Sequence, residues 1–211
     1  MDMKRILSFA SLLLFAFTAF AQTPEEIVAR MEEEMDKHEK EGMIMTMDIK
    51  IPILGTLSTK TYFLGERMRM EANTKGHLIV TWMDETTSWE YNTKDNEVII
   101  EALKSSGEKD KSDAEMFDGI TEGYDVTLKS ETAGEWHLRC RRSKTNKDKD
   151  SPKNMDLVVS KSTYCPVSLK ASMRGVTMTI RDIAFGVTEK QVTFNPADYP
   201  TAKITDKRNE K

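Results

Sequence analysis

The chain has 211 residues, a formal net charge of −4 at pH 7 and two cysteines. That length supports one domain with a real core. The mild acidity argues against a general nucleic-acid binder, and cysteines outside any CxxC spacing argue against a redox or zinc pair.

The chain opens "MDMKRILSFASLLLFAFTAFAQ". Lys4 and Arg5 form a basic start, an apolar run follows to about Phe20, and Ala19-Phe20-Ala21 is a small-x-small cleavage signature. Residues 1–21 therefore read as a secretory signal peptide. The run is too short and wrongly flanked for a span of roughly 20 apolar residues. Cleavage after Ala21 is expected to leave a domain over 22–211 with charge −5, since Asp2, Lys4 and Arg5 are removed. No cysteine follows the cleavage site to carry a lipid, and the expected location is the periplasm.

Residues 24–40 predict a helix. Thr23 and Glu26 have capping-box spacing, Pro24 suits the first turn, and Ile27, Val28, Met31, Met35 and His38 form one stripe. Gly42 ends it. The period then falls to two. "MIMTMDIKI" puts Met43, Met45, Met47, Ile49 and Ile51 on one face. "TLSTKTYFL", "RMRMEA", "HLIVTWM", "SWEY" and "EVIIEAL" continue as a meander of half-buried antiparallel strands. The polar stretch 104–113 precedes "SDAEMFDGI", which reads as a short helix with Met116, Phe117 and Ile120 on its apolar edge. Further strands follow through "KQVTFN", and the segment from about 200 to 211 is expected to be a flexible tail. The fold class is α+β: ten or eleven antiparallel strands curl into an open half-barrel, with the N-terminal helix and the short mid-chain helix covering its concave face.

Cys140 and Cys165 fall in an oxidising compartment, but on strands two apart. Two steps of about 4.8 Å exceed the roughly 7 Å that a disulfide spans between Cα atoms, so free thiols are expected.

The hairpin "SWEYNTKDNEVII" predicts Tyr91 opposite Asn96, Trp89 opposite Val98 and Thr87 opposite Ile100. Trp89, Tyr91, Val98 and Ile100 then share an inward face. Two readings stay open: packed core, or the wall of a cavity presenting apolar rings. Twelve methionines follow Ala21, and Met43, Met45, Met47, Met68, Met70, Met173 and Met178 recur at strand spacing. Each fills core or adapts to a variable apolar guest. His38, His77 and His137 are scattered, and there is no serine elbow, HExxH or phosphate loop; no enzyme, cofactor or metal is expected. The basic cluster Arg139, Arg141, Arg142, Lys144 and Lys147 reads as a solvated hairpin before a docking patch.

Taken together these segments resemble the LolA-type periplasmic lipoprotein carriers, in the wider group of half-barrel lipid-binding proteins. That family's Asp-Gly-x-x-x-Trp-x-Tyr-Asn/Asp pattern is similar to Asp84 through Asn92, with Glu85 in place of the glycine. "GERMRME" resembles its arginine-bearing strand, without the usual following proline, and "QVTFNPADYPTAKITD" resembles its closing Phe-x-x-Pro segment. The resemblance implies an apolar cavity under a helical lid, supplied by Met116, Phe117 and Ile120, that accepts acyl chains. It implies a lining of Met43, Met45, Met47, Phe63, Met68, Met70, Trp82, Trp89, Tyr91, Val98, Ile100 and Met178. The family's arginine corresponds to Arg67 or Arg69, with Arg67 preferred. The implied role is that of a monomeric carrier of acylated lipoproteins or lipids between an inner-membrane release complex and an outer-membrane acceptor. A lipid-sensing regulatory module on the same fold is the alternative.

Overall fold

The structure is a computed structural model that describes residues 22–103, 117, 119–149 and 151–209. The expected signal peptide and Met116 lie outside the described residues, as does most of the expected mid-chain helix.

Helix α1 spans Pro24–His38. Both halves of its capping box form: the Thr23 side chain accepts from the Glu26 N–H, and the Glu26 carboxylate accepts from the Thr23 N–H at 2.9 Å. Ile27, Val28, Met31 and Met35 are buried along one stripe, each contributing roughly 1.5–3 kcal/mol of apolar burial. His38 stacks on Phe185 with ring centroids 4.2 Å apart. The turn out of the helix needs Gly42, which has φ +69°; a Cβ there would sit 2.3 Å from the Phe63 carbonyl oxygen.

Among the described residues twelve strands form one sheet: β1 (Met43–Ile51), β2 (Gly55–Leu64), β3 (Arg67–Thr74), β4 (His77–Met83), β5 (Thr87–Asn92), β6 (Glu97–Ala102), β7 (Tyr124–Glu131), β8 (Glu135–Arg142), β9 (Asn154–Ser160), β10 (Pro166–Met173), β11 (Val176–Phe185) and β12 (Lys203–Asp206). Their order is β12-β6-β5-β4-β3-β2-β1-β11-β10-β9-β8-β7. Among the described residues the two end strands do not pair with each other, so the curled sheet stays open. All neighbours are antiparallel except β12, which runs parallel to β6. That strand lies inside the segment expected to be a tail. It is held by Asn96, whose side-chain amide donates to the Thr201 carbonyl at 2.9 Å, and by the Lys203–Glu97 ion pair at 2.8 Å.

The main core lies on the face that carries α1, here the helix face. The helix stripe meets Met43 and Met45 of β1, Trp136, Leu138 and Cys140 of β8, Met155, Leu157 and Val159 of β9, Leu169 and Ala171 of β10, and Ile180 of β11. Phe117 is fully buried in this cluster and Ile120 packs against it. Cys140 and Cys165 are both free. Burial, with a smaller push from the Asp156 charge, raises the Cys140 thiol to about 11.

Candidate ligand-binding face

Directly opposed residues of an antiparallel pair share a face, and successive residues alternate. The register of β1 to β6 is free of bulges, so both faces can be read straight across. On the helix face one row runs Met45, Thr61, Met70, Thr81, Glu90, Ile99, and a second runs Met43, Phe63, Met68, Met83, Ser88, Glu101. On the opposite face the corresponding row is Ile44, Tyr62, Arg69, Trp82, Trp89, Ile100. Tyr91 and Val98 pair one step along that same face.

The lining implied by the resemblance is therefore not one surface. Met43, Met45, Met47, Phe63, Met68, Met70 and Met178 occupy the helix face, with Phe117 and Ile120 packed into its core. Arg67, Trp82, Trp89, Tyr91, Val98 and Ile100 occupy the other. The cause is the β3–β4 hairpin. Thr74 pairs with His77 across the two-residue loop Lys75-Gly76, both residues at positive φ, +53° and +82°. A two-residue loop with that geometry fixes the register, and in this register Trp82 lies opposite Arg69 rather than Met70. The β5–β6 hairpin corrects a second expectation. Trp89 faces Ile100 and Tyr91 faces Val98, two residues from the predicted pairing. An even slip leaves side chains on the face they already had, so those four still share a face.

The aromatic face is covered by the chain's own C-terminal segment, 187–202. It begins where the Val187 N–H donates to the Glu41 carbonyl at 2.7 Å, passes through the short helix α2 (Glu189–Val192), and continues into β12. Val187 and Val192 bury against Tyr62. Phe194 meets Trp82 edge-on at 5.4 Å and lies near-parallel to Trp89 at 6.0 Å. Tyr199 contacts Trp82 at 5.7 Å and Tyr91 at 4.4 Å. Burial raises the Tyr199 phenol, against the nearby Arg69 charge, which lowers it. These centroid separations are those of packed aromatic pairs. Trp82 is buried beneath these rings, while Trp89 and Tyr91 are half-buried against them.

The arginines sit on that same face. Arg67 is exposed and pairs with Glu189 of α2. Arg69 lies over the Tyr62 ring at 5.4 Å and the Trp82 ring at 5.5 Å, and pairs with Glu71 at 2.6 Å. Asp84, first residue of the motif, organises the β4–β5 turn: its Oδ1 accepts from the N–H groups of Thr86 and Thr87, each at 2.8 Å. Burial pushes its carboxyl up, but those donors, the Thr86 hydroxyl and Arg67 outweigh it and hold the group below its ordinary value. Glu85 is not among the residues at positive φ, so this turn does not require the missing glycine.

The helix face is different across β1 to β6. Met43 and Met45 are sealed, 3% and 0% exposed. Moving away from α1, Met47, Phe63, Met68, Met70, Ile79, Met83 and Ile99 are only half-buried. With Thr61, Thr81 and Ser88 between them they form a mixed, part-exposed strip, the candidate trough, that ends at the exposed Glu90 and Glu101 of β5 and β6. Ile79, Met83 and Ile99 were not expected at a site; the Lys75-Gly76 loop was the signal that would have placed the first two on the methionine face. Among the described residues no group of three His, Cys, Asp or Glu is placed to hold a metal, and no helix is long and apolar enough to cross a membrane.

No family model and no curated protein matches the chain. Among solved structures it is similar to an uncharacterised conserved protein from Thermus thermophilus, with 18% identity, TM-score 0.45, and 86% of this chain and 98% of that one covered. It is similar to MucB in complex with MucA(peri), with 10% identity, TM-score 0.44, and coverage of 80% and 60%. It is also similar to the LolA superfamily protein NE2245 from Nitrosomonas europaea, with 11% identity, TM-score 0.32, and coverage of 84% and 100%. Scores this low carry no functional inference.

Proposed function

We propose that this protein is a non-enzymatic carrier that shields the acyl chains of lipoproteins, or of a related lipid, in the trough on the helix face. The observation that carries the reading is the passage from sealed to half-exposed apolar surface along one face. Met45 is fully buried beside α1, while Met68, Met70, Ile79, Met83 and Ile99 remain part-open on β3, β4 and β6. Unbranched thioether side chains re-pack around differing guests. Burying acyl chain is worth about 0.8 kcal/mol per CH₂, and an open trough recovers only part of that for each group, which favours release as well as capture. Export through the signal peptide 1–21 to the periplasm fits such a role. Loading from an inner-membrane complex and delivery to an outer-membrane acceptor belong to the same proposal.

A fluorescent fatty acid displaced by acyl lipids tests it. Met70→Asp with Met83→Asp is expected to lower probe affinity about tenfold or more while the protein stays folded, because each carboxylate enters apolar surface that the guest must cover. Unchanged affinity in that folded double variant rejects the trough as the site.

A further inference from the structure

The two ends of the sheet are chemically unlike. Strand register gathers the hairpin connections 52–54, 75–76, 93–96, 143–153 and 174–175 at one end. They hold seven Lys and Arg against three Asp. The hairpin connections at the other end hold Glu66, Asp84 and Glu85 against Lys161. The hairpin connections at that first end are thus net cationic in a net acidic chain.

The β1–β2 connection lies at the centre of that end, because β1 and β2 are the middle strands of the order. It carries Ile53 and Leu54, 106% and 81% exposed, far above any other large hydrophobic among the described residues. Ile53 has φ +71°, a left-handed conformation that strains a β-branched residue and that glycine or asparagine would adopt freely. No packing contact explains an isoleucine there, since its side chain is fully in solvent. The neighbouring turns on either side present Lys75 and Arg174, both exposed. The Arg174 turn is close: a Cβ on Gly175 would lie 3.8 Å from the Pro52 ring.

An apolar pair at a strained tip, flanked by Lys75 and Arg174, has the two attractions that surface anchoring on a bilayer needs. The geometry points to this end as a docking surface for an anionic phospholipid bilayer. Ile53 and Leu54 enter the boundary between headgroups and acyl chains, and the flanking lysines and arginines hold the anionic surface. The helix-face row of β1, Met45, Met47, Ile49 and Ile51, leads directly to this tip. Where the trough carries acyl chains as proposed above, docking brings the β1 side of the helix face to the membrane.

Flotation of the purified protein, without cargo, tests the surface. Vesicles of phosphatidylethanolamine and phosphatidylglycerol should carry it upward, less so as salt rises because the charge term is screened. Vesicles of phosphatidylcholine alone should carry far less. Ile53→Asp with Leu54→Asp should lower partition about tenfold or more, and Lys75→Glu with Arg174→Glu should abolish the preference for anionic vesicles. All four positions are exposed, so circular dichroism and melting temperature serve as the folding control. No flotation on either vesicle, equal flotation on both, or undiminished flotation of the Asp double variant overturns the proposal. Probe binding in solution does not depend on this tip, so the trough and the docking surface fail or survive separately.

Discussion

Trp82 separates a packing role from a binding role at the level of one side chain. Its ring is 4% exposed and meets Phe194 and Tyr199. Trp82→Ala is expected to cost about 3–5 kcal/mol in chemical denaturation. Acyl-probe affinity of the remaining folded protein should change less than about twofold, since the residue faces away from the trough. Asp84 gives a pH-dependent counterpart. Its carboxyl titrates below its ordinary value in the folded chain. The stability it adds is therefore present above the unfolded value of about 3.9 and is lost as pH falls through the folded one. Asp84→Ala should cost about 1–2 kcal/mol at neutral pH and flatten the stability-versus-pH curve in that acidic window.

Two junctions fix where the elements go. Gly42 turns α1 into β1 with its backbone against the Phe63 carbonyl. Gly42→Ala is expected to destabilise by about 1–3 kcal/mol or more in chemical denaturation, through the positive φ and the clash with the Phe63 carbonyl. The C-terminal segment is the other junction. Phe194 and Tyr199 close the aromatic face, and β12 completes the sheet edge. Removing residues 193–211 should uncover Trp82 and Trp89. A red shift of tryptophan emission and binding of an apolar dye are the expected readouts, and unchanged emission would show that the segment does not seal that face.

For the whole molecule the sheet divides labour between its faces. One half of the helix face is core under α1, the apolar side chains of the other half stay half-buried, and the chain's own end packs over the β2–β6 part of the reverse face. Stability therefore does not depend on a cross-link, and both thiols are free. Reductant should leave the melting temperature unchanged. Cys140, fully buried with its thiol raised to about 11, should resist maleimide labelling until the sheet unfolds, whereas part-exposed Cys165 should label in the native state. Comparable native labelling of both would contradict the packing around β8.

Local sequence settles the elements and much of their polarity. The capping box at Thr23 and Glu26, the stripe on α1 and the alternation Met43, Met45, Met47 follow from local periods of 3.6 and two, which a single strand or helix carries within itself. The grouping of Trp89, Tyr91, Val98 and Ile100 was legible for the same reason, since an even register slip preserves it. Which face those rings take relative to the methionines is not a property of any one strand. It depends on parity passed through successive hairpins, and the two-residue Lys75-Gly76 loop sets it. The partner for the rings was equally out of local reach: Phe194 and Tyr199 lie more than a hundred residues downstream, and only tertiary packing brings a terminal segment back across the sheet.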